Sequence, residues 1–278
     1  MNRSPTIAAA RFSSLLPAPI HPMQARLLAL VVAHRFATTT QLARLTALEY
    51  VSSASALRQT QRHLASLAQQ RLLTSLERWV GGWQGGSSAS IWALTTRGLS
   101  ALTGQTVRAR NQAVSTSFLA HLLAITETRT IIDETVRPLP NTTAQIVAEP
   151  DCWRHYLGTG GQTVTVRPDL FVVVTGPDYQ DHYFVEVDRD TENPARVIAA
   201  CHRYQAYYAT GAEQRQTGVF PITLWVVPHD RRREQLWHYI TEQPDLDSRL
   251  FAVITAQQIA ETITGGPPSN EYVRGGAV

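Results

Sequence analysis

Lysine is missing from this chain: all 25 basic residues among its 278 are arginine. That excludes every mechanism built on a lysine base or Schiff base. Arginine keeps its charge and forks onto phosphate, but it is a poor proton carrier. Cysteine is nearly missing too. Cys152 and Cys201 are too few for a disulfide framework or a cysteine zinc site, as expected of a chain in a reducing cytoplasm. No apolar run approaches the roughly 18 residues needed to span a bilayer. The opening residues, with Arg3 and Arg11 around alanines, lack the apolar centre of a secretory signal. A cytoplasmic protein without a membrane partner is therefore expected. There is no His-x-His pair and no internal repeat, and His202, His229 and His238 show no zinc spacing.

Acidic residues are scarce in one half only. Residues 1–110 hold twelve arginines against Glu49 and Glu77, a balance of +10; residues 111–278 hold thirteen arginines against twenty acids, a balance of −7. A front half this basic is the electrostatic footprint of a protein that meets a polyanion.

Residues 1–19 read as a disordered start. From Pro22 the apolar spacing is helical (Leu27, Leu28, Val31, Val32). Thr38 to Thr40 offer an N-cap for a short helix over 41–45. A longer helix is expected over 53–69, with Leu57, Thr60, Leu64 and Leu67 on one face and Ser55, Arg58, Gln59 and Arg62 on another. Two short strands, 76–80 and 90–94, flank the Gly/Ser-rich run 81–88. Helix, short helix, longer helix and glycine-tipped hairpin is the layout of a winged helix-turn-helix. Its longer helix would present Ser55, Arg58, Gln59 and Arg62 to base edges in the major groove of duplex DNA, and the hairpin would lie along a phosphate strand. Three-helix packing of another kind gives the same spacing, and some winged helices bind protein.

Beyond Arg108 and Arg110 a helix is expected over 113–135, then strands over 145–148, 170–174, 183–187 and 222–227. A helix opened by Asn193-Pro194 lies between the last two strands, and another starts near Asp230. Two motifs stand out in this half: Arg167-Pro168-Asp169, and seventeen residues later Glu186-Val187-Asp188. Acids at i and i+2 on a strand share a face. If strands 170–174 and 183–187 form a hairpin in which paired numbers sum to 355 or 357, Asp169 joins that face; a sum of 356 sends it to the other. Such a cluster of carboxylates calls for a cation, Mg²⁺ or Mn²⁺ being the usual answer. The competing reading is structural ion pairing with Arg167, Arg189 or Arg196. Tyr204, Tyr207 and Tyr208 also suggest a tyrosine nucleophile of the relaxase kind, against which stands the absent His-x-His metal pair.

The carboxylate pattern resembles the PD-(D/E)XK nuclease superfamily, with Asp188 where the superfamily places lysine. The resemblance implies Asp169, Glu186 and Asp188 as catalytic and metal-binding residues, with Asp188 or a water as base, and Glu127 on the preceding helix as a further metal ligand. Taken with the basic front half and the run from Glu186 to Glu192, residues 22–242 resemble the replication-relaxation family of actinobacterial and other Gram-positive plasmids and integrative elements. The expected architecture is α/β (α+β overall). A disordered 1–19 is followed by a winged helix-turn-helix over 20–104, a restriction-endonuclease-like α/β domain over 105–263 and a disordered tail over 264–278. The expected function is element replication or mobilisation, with metal-dependent DNA nicking. The alternative is a non-enzymatic initiator or regulator whose nuclease-like domain is inactive and makes protein contacts. Expected partners are duplex DNA, replication or transfer proteins, and a second copy of the chain.

Overall fold

The structure, a computed structural model, describes residues 20–76, 90–103 and 115–267. The two ends, the Gly/Ser-rich hairpin tip and residues 104–114, which include Arg108, Arg110 and the 104–105 boundary, lie outside the described residues. The chain is mixed α/β and forms two compact units, residues 1–130 and 131–278.

In the first unit, α1 (Pro22–His34) leads through β1 (Phe36–Thr38) into α2 (Thr39–Leu45). Thr38 caps α2 in a capping box with Gln41, as the threonine run predicts. Next come α3 (Ser53–Gln69), β2 (Leu73–Leu76), β3 (Ile91–Leu94) and α4 (Thr96–Thr103), with strand order β1–β3–β2, all antiparallel. Leu27, Leu28 and Val31 of α1 meet Leu42 and Leu45 of α2, Leu64 and Leu67 of α3, and Trp92 in one core. On α3 the buried stripe is Ala56, Thr60, Leu64 and Leu67, while Leu57 is exposed. The small Ala56, four residues before Thr60, takes the place that the sequence reading gave to leucine.

The second strand begins earlier than expected. Arg71 adopts a positive φ of 56°, which stops α3 and turns Leu72 and Leu73 straight into the core. Residues 77–80 of the expected strand lie outside the described residues. At the start of α4 a β-carbon on Gly98 would stand 2.3 Å from the Leu72 carbonyl oxygen, which itself accepts the Thr95 amide. Gly98→Ala should therefore force strand and helix apart and lower the unfolding temperature, measured by circular dichroism; an unchanged value would mean the two do not pack this closely.

His34, 4% exposed, sits 2.8 Å from the Arg129 guanidinium. Burial first, and Arg129 second, hold its pKa well below the ordinary 6.5. The unfolded histidine takes up a proton below pH 6.5 that the folded one refuses. The stability it contributes is thus fully present above that pH and is lost as pH falls toward the folded pKa, at up to about 1.4 kcal/mol per pH unit. His34→Gln keeps an acceptor for Arg129, so its melting temperature should fall less between pH 6.5 and 5 than that of the parent; parallel curves would contradict a neutral, buried His34.

The division between the units falls inside α5 (Thr116–Val136). The second unit is built on a five-stranded sheet ordered β10–β9–β8–β7–β4. Its strands are β4 (Thr143–Ala148), β7 (Leu170–Thr175), β8 (Gln180–Val187), β9 (Ile222–Val227) and β10 (Phe251–Thr255). The first three pair antiparallel, and β8, β9 and β10 run parallel. Between β8 and β9 lie α6 (Pro194–Ala209), opened by Asn193 as N-cap with proline in its first turn, and the short α7 (Ala212–Thr217). Then α8 (Asp230–Thr241) precedes β10, and α9 (Ile259–Gly265) follows it. Val197, Cys201, Tyr204 and Tyr207 of α6, with Leu236 and Ile240 of α8, pack on Phe184, Trp225, Val227, Phe251 and Val253 of the sheet. The sequence reading missed the small hairpin β5 (Arg154–Leu157) and β6 (Thr163–Val166), because its half-exposed residues show no apolar run. It also missed β10, five buried residues too short for periodicity to separate from a helix. Among the described residues no helix is long and apolar enough to cross a membrane.

Candidate carboxylate centre and its arginine-lined cleft

The register of β7 and β8 decides where the acids go. Val173 lies opposite His182 and Leu170 opposite Val185, the pairing whose numbers sum to 355. One residue further on, Asp169 comes across from Glu186 on the sheet face that α6 covers. Asp169 is fixed there: its amide donates to the Val185 carbonyl at 3.0 Å, and its Oδ2 accepts the Val187 amide at 2.7 Å. It is 7% exposed.

Glu186 is half-buried, and its Oε1 accepts the Tyr204 hydroxyl at 2.5 Å. Burial, then the Asp169 carboxylate, push its pKa well above the ordinary 4.5; the Tyr204 hydrogen bond opposes this, Glu192 adds to it, and Arg203 weakly opposes it. Two acids on one spot cannot both ionise cheaply, so this pair either keeps a proton or holds a cation.

Asp188 goes elsewhere. Its Oδ2 meets Nε of Arg232 at 2.5 Å, and its Oδ1 accepts the Thr191 amide at 3.3 Å. The pair is buried, with side chains 4% and 0% exposed for Arg232 and Asp188. Arg232 also donates to the Glu192 carbonyl at 2.8 Å and to Gln235 Oε1 at 2.9 Å, and lies 3.4 Å from Asp190 Oδ1. The expectation that Arg189 balances Asp188 is thus replaced by Arg232, which α8 carries in line with Leu236 and Ile240. That i, i+4, i+8 spacing was the signal available in the sequence. Glu127 belongs to the first unit, where Arg44 pairs with it and Gln41 Nε2 donates to its Oε2 at 3.0 Å. The structure therefore brings Asp169 and Glu186 together and gives Asp188 and Glu127 arginine partners. Among the described residues no group of three or more His, Cys, Asp or Glu could hold a metal ion.

Over the pair opens a cleft of about 640 Å³, walled by β6 on one side and by Arg196, Ala199, Ala200 and Arg203 of α6 on the other, with Glu186, Tyr204 and Trp225 inside it. Arg167 lies on its border and stands over the Trp153 ring at 5.0 Å. The tyrosines singled out as nucleophiles divide. Tyr204 is bonded to Glu186, and Tyr207 donates to the buried Glu213 at 2.6 Å, with burial raising both hydroxyls above the ordinary value. Tyr208 is 41% exposed and packs edge-on against Phe220. Glu213, unnoticed in the sequence, also takes a two-pronged contact from Arg154, at 2.9 and 3.3 Å. On α3 of the first unit, Arg58 and Arg62 are exposed, and Ser55 and Gln59 half-buried.

No curated protein and no solved structure matches the chain. The family comparison does give a match, to replication-relaxation over residues 28–223, which takes in α2, α3, Asp169, Glu186 and α6. With most of its length inside that match, the chain belongs to the replication-relaxation family.

Proposed function

We propose that this protein is a DNA-binding, metal-dependent DNA nickase acting in the replication or mobilisation of a plasmid or integrative element. Family membership points to the setting, and the nicking reading rests on one observation: the β7–β8 register sets Asp169 against Glu186 under a cleft bordered by three arginines. Pro168-Asp169 leading a strand, Glu186 on the next and a helix following is also the order of a PD-(D/E)XK-type nuclease. The donor set fits Mg²⁺ or Mn²⁺. Magnesium takes one or two protein carboxylates and completes its shell with water and phosphate oxygens, and Asp169 with Glu186 supplies those two. Bound there, the ion would supply charge stabilisation for the phosphoryl group and a lowered pKa for water. Tyr204 orients Glu186, the Val187 amide orients Asp169, and Arg196 and Arg203 neutralise the phosphates on either side of the scissile bond. Asp188 serves as the counter-ion of Arg232 and fixes the 188–192 turn.

The first unit is read as a winged helix that holds duplex DNA through Ser55, Arg58, Gln59 and Arg62 on α3. Arg58→Ala/Arg62→Ala should weaken duplex binding at least tenfold and flatten its salt dependence. Undiminished affinity in a gel-shift assay would remove α3 from the DNA.

The deciding experiment for the enzyme is incubation with supercoiled plasmid of the parent element in Mg²⁺, Mn²⁺ or EDTA. Nicking is expected with metal, and none with EDTA or with Glu186→Gln. One observation favours a second reading: Asp188 is neutralised by Arg232, leaving one acid fewer than a three-carboxylate site. In that reading the second unit is an inactive nuclease-like domain that docks replication or transfer proteins or a second copy. A plasmid that is bound but uncut under every metal condition would establish it.

A further inference from the structure

The cleft above Asp169 and Glu186 carries a preference for one form of DNA. Its carboxylates are recessed: Asp169 is 7% exposed and Glu186 half-buried, with Tyr204 at 1% and Trp225 at 3% beneath them. Its arginines stand at the border instead; Arg167, Arg196 and Arg203 are all exposed. Arg196 and Arg203 are seven residues apart on α6, hence on one side of the helix and about 10 Å apart along it. Among the described residues neither forms an ion pair, so their charge is available to a ligand. A site with cationic edges and an acidic floor binds a polyanion by its backbone and draws one linkage downward.

Size then separates strand from duplex. At about 640 Å³ the cleft has the volume of a small-ligand pocket. A double helix, whose major groove alone is about 12 Å wide, cannot lower a linkage to that depth without losing its pairing. A single strand can, because its backbone bends freely and its bases need no partner.

We propose that the cleft of the second unit is a single-strand site. It takes a short stretch of one DNA strand, with neighbouring phosphates on Arg196 and Arg203 and one linkage over the carboxylate pair. This deepens the nickase reading and rests on it for the identity of that linkage. It makes underwound or melted DNA the substrate and leaves relaxed linear duplex uncut.

The test uses the full chain in EDTA, with a fluorescent twelve-nucleotide oligo-dT and, separately, a labelled twelve-base-pair duplex, both followed by anisotropy. Arg196→Gln/Arg203→Gln should lose tenfold or more in affinity for the strand and little for the duplex. Its salt slope for the strand should fall by about 1.4, two contacts at about 0.7 each. Arg196→Lys/Arg203→Lys should restore most of the binding, which separates lost charge from a misfolded helix. Unchanged strand affinity in the glutamine variant would overturn the proposal, as would an equal loss for strand and duplex. Because binding is read without metal, the two ideas fail separately. Strand binding without nicking refutes the nickase alone, whereas nicking of relaxed linear duplex refutes the single-strand site alone.

Discussion

Arg232→Ala should cost the chain on the order of 3–5 kcal/mol of stability, the range found when a buried ion pair loses one partner. The reason is what stays behind. Asp188 is 1% exposed, and its Oδ2 has the Arg232 guanidinium at 2.5 Å. Without that guanidinium the carboxylate must protonate or admit water, and the Glu192 carbonyl loses the donor that anchors the turn into α6. Arg232→Lys should recover only part of the loss, since one ammonium cannot replace a fork that reaches Asp188, Glu192 and Gln235 together. Asp188→Leu/Arg232→Met should be far less harmful than either single change, because it removes both charges at once. Urea denaturation followed by tryptophan fluorescence reads all four proteins. A loss below about 1 kcal/mol for Arg232→Ala would put the pair in the class of exposed ion pairs and remove the reason for setting Asp188 apart from Asp169 and Glu186.

The second large effect has the opposite sign. Glu186→Gln should raise the melting temperature in EDTA at neutral pH while abolishing nicking. Burial and Asp169 raise the folded pKa of Glu186 well above its ordinary 4.5. For a carboxyl the sign is then fixed: the stability it contributes is complete below the unfolded pKa and disappears as pH rises through the folded one. At neutral pH the metal-free chain therefore carries a strained acid pair. Glutamine keeps the shape and an acceptor for Tyr204 but removes the charge. The parent should lose stability as pH rises from about 4.5, the variant less so, and millimolar Mg²⁺ should raise the melting temperature of the parent only. A variant less stable than the parent in EDTA, and equally responsive to Mg²⁺, would mean that the carboxylates do not repel each other.

Much of this arrangement was legible in the sequence because strand geometry is discrete. Once Leu170 to Val174 and Tyr183 to Val187 are strands of one hairpin, the register has few options, and the one found puts Asp169 across from Glu186. Helix ends were legible as well, since Thr38 and Asn193 can satisfy free amides from the side chain. What escaped were partnerships between residues distant in sequence. Asp188 looked like a third acid because period two assigns it the face of Glu186, yet β8 ends at Val187, and the next side chain reaches Arg232, 44 residues away. Glu127 looked like a ligand by its place on a helix; Arg44, 83 residues earlier, claims it. Glu213 gave no signal because its partners Arg154 and Tyr207 come from two different elements. Each miss involves a charge, and a charge finds its partner through tertiary structure rather than through local pattern.

The central claim is that Asp169 and Glu186 form a divalent-cation site. It is tested most directly by calorimetric titration of the full chain with Mn²⁺ at pH 7.5, alongside Asp169→Asn and Glu186→Gln. The account predicts saturable binding in the parent that either substitution removes. Absence of binding in the parent, or binding that survives both substitutions, would contradict it.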